Sequence, residues 1–134
     1  MTRINIINPL ELYDQHLIAE YREILMIAGS LKRTLVSKGG YKESKVPKHY
    51  TLNKGHVYFF YNKGLYLHKR YDSIICEMKK RGFKPEPDRK FPENIFKDNG
   101  LYNDWAPKED DYKIIRQRIK EKIILKPEWY RKTK

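Results

Sequence analysis

The sequence predicts an all-α fold: three helices packed in one compact domain, residues 1–134, with long connecting loops. Three observations predict it. Apolar residues recur at steps of three and four in three separate stretches. No stretch shows a persuasive alternation of apolar and polar residues, as a half-buried strand would. Glycines, prolines and charged residues sit where such helices would start and stop.

The first helix runs from Asp14 to Leu35. Its apolar residues are Leu17, Tyr21, Ile24, Ala28, Leu31 and Leu35, which fall on one face at 3.6 residues per turn. Asp14 is suited to cap the start, and Gly39–Gly40 to end it. The opposite face carries His16, Glu20, Glu23 and Met26. Glu20 reads there as a solvated or paired surface acid. The second helix is written "GLYLHKRYDSIICEMKKRGF", with Leu67, Tyr71, Ile74 or Ile75, and Met78 as its stripe. Lys79, Lys80 and Arg81 suit the negative end of its dipole, and Gly82 is placed to cap it. The third starts near Pro107. Glu109, Asp110 and Asp111 suit its positive end, Tyr112, Ile115, Ile119 and Ile123 form its stripe, and Pro127 stops it.

Two loops separate these helices. The first contains Gly39, Gly40, Pro47 and Gly55, then "HVYFFY", which reads either as a buried extended segment or as the lead-in to the second helix. The other is "KPEPDRKFPENIFKDNGLYNDWAP". Loops this long in a small domain are functional or packed on themselves.

Composition narrows the function. A 40% hydrophobic and 34% charged chain is ordinary folded material, but its net charge of +12 is not ordinary. Such an excess calls for an anionic partner, most often nucleic acid. From Lys113 to Lys134 there are nine Lys or Arg against two Glu, a net of +7. Arg118 and Lys122 lie four apart on one helix face, where like charges repel and an anion relieves them. A solvated surface would carry the same pattern. The single cysteine, Cys76, fits a reducing compartment. His16, His49, His56 and His68 lack zinc-ligand spacing, no apolar stretch is long enough to span a membrane, and no signal-peptide pattern opens the chain.

The first lysine is Lys32, so the early amine of interest is not a side chain. Thr is small enough for the usual removal of an initiator methionine, which would leave Thr2 with a free α-amine. Such an amine titrates near 8, against about 10.4 for lysine, so a fraction is nucleophilic at neutral pH. Arg3 and Arg22 would lower it further. Amines of this kind form imines with sugar C1′ atoms. A small residue at position 2 is common, however, and says little alone.

"MTRIN", "LYDQHLIAEYREIL", "GHVYFFYNKG", "KRGF" and "KPEWY" together resemble the phage endonuclease V family, along nearly the whole chain. These are pyrimidine-dimer DNA glycosylases with AP lyase activity. The resemblance implies an all-α fold of three helices and a substrate of double-stranded DNA containing pyrimidine dimers or abasic sites. It also implies an imine intermediate on the N-terminal amine, followed by β-elimination. By that resemblance Thr2 is the nucleophile and Glu23 the essential carboxylate, which stabilises positive charge on the sugar and moves protons. Arg3, His16 and Arg22 match residues that hold phosphates or seat the site. Arg118 and Lys122 match basic positions that face DNA. No metal and no organic cofactor is implied. A monomer in the cytoplasm or a host nucleus is expected, with no membrane partner. The chain departs from the family's best-known phage member in two places. Met26 stands where that member has an arginine, and the end "WYRKTK" is poorer in aromatics, which bears on lesion preference. The alternatives are a non-catalytic binder of damaged or bent DNA, and an AP lyase without glycosylase activity.

Overall fold

Two long helices, α1 (Asp14–Val36) and α3 (Gly64–Lys80), form the central pair and pack on each other more extensively than any other two. The computed structural model describes residues 4–133, and among these there are helices and no strands. Two short helices, α2 (His56–Phe59) and α4 (Glu93–Lys97), lie in the connections on either side of α3. A last long helix, α5 (Glu109–Leu125), completes the set, with 3-10 turns at Pro9–Glu11 and Glu43–Lys45. The three long helices fall where the apolar stripes predict them. The expected total of three is corrected to five among the described residues. Helices of four and five residues are too short to display a 3.6-residue period. "HVYFFY" is thus not extended: it forms a helical turn of its own that leads into α3.

The stripes are buried as their spacing requires. Leu17, Ile24, Ile27 and Leu31 of α1 meet Leu67, Tyr71, Ile74 and Met78 of α3 in one core, closed by Ile115 and Ile119 of α5. An aromatic cluster of Tyr50, Phe59, Phe60, Tyr66 and Trp105 fills the end under α2, with rings edge-on or offset. Gly64 opens α3 because nothing larger fits: a Cβ there would lie 2.5 Å from the ring of Phe96 on α4. At the other end of α3, Gly82 has φ +89°. Its N–H donates to the Lys79 carbonyl at 3.0 Å, and the Phe83 N–H donates to the Met78 carbonyl at 2.9 Å. That double bond pattern closes the helix as the position of Gly82 predicts.

Two acids of α1 differ from their sequence reading. Asp14 is the first helical residue rather than the cap, which is Tyr13. Its carboxylate instead accepts from Arg81 Nη1 at 2.9 Å and from Thr133 N–H and Oγ1. Glu20 is not a surface acid. It is 1% exposed and paired with Arg70 of α3, Nε to Oε2 at 2.7 Å and Nη2 to Oε1 at 3.0 Å. A carboxylate is affordable in a core only with its charge and lone pairs satisfied, and Arg70 does both.

The segment that precedes α1 is fastened to this frame at several points. Ile4 N–H donates to His56 Nε2 at 2.8 Å, so the proton of that buried imidazole lies on Nδ1, which donates to the Thr51 carbonyl at 2.7 Å. Tyr50 Oη donates to the Ile4 carbonyl at 2.7 Å. Asn5 donates to Glu20 Oε1 from both its backbone (3.2 Å) and its side chain (2.9 Å). Arg70 Nη1 donates to the Ile7 carbonyl.

Candidate active site

A cleft of about 250 Å³ opens between the N-terminal half of α1 and α5. On α1 the lining residues Gln15, His16, Ala19, Glu20 and Glu23 follow the helical repeat, and on α5 so do Ile115, Arg118, Ile119 and Lys122. The two isoleucines form an apolar floor. Glu23, Arg118 and Lys122 are half-buried beside it. Arg118 Nε is shielded from solvent and has no hydrogen-bond partner among the described residues. Asn5 enters from the N-terminal segment, and Trp129 and Tyr130 close the far side.

The aromatic wall comes from the chain that follows α5. Tyr130 stacks on His16 with ring centroids 4.8 Å apart and planes 7° apart. Trp129 meets Tyr130 edge-on at 5.0 Å. The backbone of this tail is held against the first turn of α1 by the Asp14 N–H and the Gln15 side chain. Asp14 N–H donates to the Arg131 carbonyl at 2.6 Å, Arg131 N–H donates to Gln15 Oε1 at 3.0 Å, and Gln15 Nε2 donates to the Trp129 carbonyl. Burial would raise the Asp14 pKa, but the bonds from Thr133 and Arg81 outweigh it and hold the carboxyl below its ordinary value.

The cleft thus brings together four of the residues singled out in the sequence: His16, Glu23, Arg118 and Lys122. Arg22 is placed elsewhere. It is exposed and lines a separate depression with Tyr21, Phe83 and Arg89, and Arg89 Nη2 donates to its carbonyl at 2.7 Å. Met26 is 55% exposed on the next turn of α1. Thr2 and Arg3 lie outside the described residues. Asn5, Glu20, Trp129 and Tyr130 were not singled out as site residues, although the last two belong to a motif already noted. Glu20 had a legible signal: it lies three residues after Leu17 and four before Ile24, on the buried stripe.

Among the described residues no group of three or more His, Cys, Asp or Glu is arranged to hold a metal ion, and no helix is long and apolar enough to cross a membrane. Chemically, the cleft offers one half-buried carboxylate, two cations and stacked rings. That is the equipment of a protein that works on a polyanion with flat, stackable parts. The family model for pyrimidine dimer DNA glycosylases matches residues 1–91, more than half of the chain. The chain belongs to that family, which acts in DNA repair on a DNA substrate. The match covers Asn5, His16, Glu20, Glu23 and Arg70, whereas α5 and the aromatic tail lie beyond it.

Proposed function

We propose that the chain is a bifunctional DNA glycosylase and AP lyase that acts on UV-induced cyclobutane pyrimidine dimers and abasic sites in duplex DNA. Thr2, freed by methionine removal, attacks the C1′ of the 5′ sugar of the dimer through its α-amine. The glycosidic bond breaks, the sugar ring opens to a protonated imine, and loss of a C2′ proton expels the 3′ phosphate. Glu23 stabilises the developing positive charge on the sugar and moves protons in these steps. Arg118 and Lys122 hold phosphates, His16 seats the site, and Arg3 and Arg22 contribute phosphate contacts outside the cleft floor. The enzyme works as a monomer, in the cytoplasm or a host nucleus, with no metal or organic cofactor.

One observation carries this proposal. Glu23 lies half-buried in one cleft with Asn5, His16, Arg118 and Lys122, so a carboxylate shares its cleft with two cations suited to phosphates. Borohydride should trap a covalent complex of the enzyme with dimer-containing duplex, and peptide mapping should place the DNA on residue 2. A complex mapped to a lysine side chain would remove the amine assignment. Tight binding without trapping or incision would favour a non-catalytic binder.

A further inference from the structure

Ile6 is the single non-glycine residue with positive φ, +45°, among the described residues. For a β-branched side chain this is a true outlier, and such conformations persist only where the surroundings over-determine them. The surroundings here do so. Ile7 N–H folds back to the Asn5 carbonyl, making a tight three-residue turn centred on Ile6. The residues on both sides of the turn are gripped by one buried ion pair: Asn5 by Glu20 Oε1, and Ile7 through its carbonyl by Arg70 Nη1. Glu20 also lines the cleft, three residues from Glu23 on α1. Its partner Arg70 is 5% exposed and reaches across from α3. Burial works against the charged guanidinium, but Glu20 outweighs it, and the pKa of Arg70 stands above its ordinary value.

We infer that the Glu20–Arg70 pair is a positioning device for the reaction: it forces the chain through the turn at Ile6 and so fixes Asn5 in the Glu23 cleft. This rests on the proposed role of the N-terminal amine. In this role both residues act through Asn5 and Ile7. A pair needed only for stability could be replaced by two apolar side chains, since buried ion pairs are commonly neutral or inferior to well-packed hydrophobic substitutes. A pair needed for aim could not, because the apolar substitutes offer Asn5 no acceptor and Ile7 no donor.

The test uses the full chain with Glu20→Met and Arg70→Met combined, and Asn5→Ala as a milder variant that keeps the pair but removes one bond to it. Four quantities are measured: thermal unfolding, affinity for a dimer-containing duplex, the single-turnover rate of borohydride-trappable complex, and hydrogen exchange of the Asn5 amide. Both variants should fold and bind within a few-fold of wild type. The double variant should exchange the Asn5 amide much faster while the α1 and α3 amides stay protected. Its single-turnover rate should fall by roughly 100-fold, the scale of an ångström of misplacement, and Asn5→Ala should fall in between. A folded double variant that traps DNA at the wild-type rate would overturn the inference. So would a faster Asn5 exchange without any loss of rate. If the double variant does not fold, Asn5→Ala decides alone, and an unchanged rate there overturns the inference. Failure of the wild type itself to trap through residue 2 would instead overturn the proposed reaction on which the inference rests.

Discussion

Tyr130 lies parallel to His16, with ring centroids 4.8 Å apart, so the end of the chain forms one wall of a cleft whose other wall is the beginning of α1. If that wall contacts the lesion, its ring is what matters and its hydroxyl is not. Tyr130→Phe should be close to wild type. Tyr130→Ala should lose about 1–3 kcal/mol of binding to dimer-containing or abasic duplex, the value of one aromatic stack, with little change on undamaged DNA. Equal loss on damaged and undamaged duplexes, measured by fluorescence anisotropy, would make the ring a general DNA contact instead.

The position of that wall depends on Asp14, which takes the Thr133 N–H and hydroxyl. Its carboxyl is held below the ordinary aspartate value of 3.8, so the stability it lends the tail is complete above that value and lost as pH falls through the lowered one. In a Trp105→Phe background Trp129 is the remaining tryptophan, and its emission reports the tail. Trp129 is already exposed but meets Tyr130 edge-on, so acidification below 3.8 should change its emission as that contact loosens, and Asp14→Asn should produce part of the change at pH 7. No change in Asp14→Asn would mean that the aromatic stack holds the tail unaided.

Arg118 and Lys122 face the cleft from α5. Lysine and arginine contacts to phosphate make affinity fall linearly with salt on logarithmic axes, with a slope of about 0.9 per contact on duplex DNA. Replacing both by Gln should flatten the slope by about 1–2. An unchanged slope would return this face to the status of a solvated surface.

What the sequence disclosed follows from range. The stripes of α1, α3 and α5 are local patterns, and so is the Gly82 closure, and each lies where spacing alone puts it. Glu20 reads as a surface acid because its partner lies 50 residues away. The pair was nonetheless written into both helices. Glu20 interrupts the stripe between Leu17 and Ile24, and Arg70 interrupts the one between Leu67 and Ile74. Opposite charges embedded at equivalent points of two apolar stripes are a signal of pairing. The docking of Trp129 and Tyr130 had no comparable local signal, since the Gln15 side chain that grips the tail reaches backbone groups 114 and 116 residues away. Of the candidate site, His16, Glu23, Arg118 and Lys122 were legible because motif and helical spacing coincide; their convergence across α1 and α5 required the fold.

Of the glycines, Gly64 leaves the least room for a side chain. An added methyl would meet Phe96 Cβ and Cγ at 2.5 Å, and the Gly64 N–H is committed to the Leu101 carbonyl at 2.9 Å, so α3 cannot slide to make room. Gly64→Ala should cost about 1–3 kcal/mol through overpacking, despite the better helix propensity of Ala. The urea midpoint should fall with the slope unchanged. An unaltered midpoint would show that α4 yields.

The central claim is that Glu23 acts on charge that develops in the transition state, and single-turnover incision of a duplex carrying one thymine dimer tests it most directly. Glu23→Gln preserves shape and removes the charge. Affinity for the dimer duplex should hold or tighten, because an anion near phosphates is gone, while the rate should drop by at least ~100-fold. A near-normal rate in a folded Glu23→Gln enzyme, or a loss of binding that accounts for the whole loss of rate, would contradict the account.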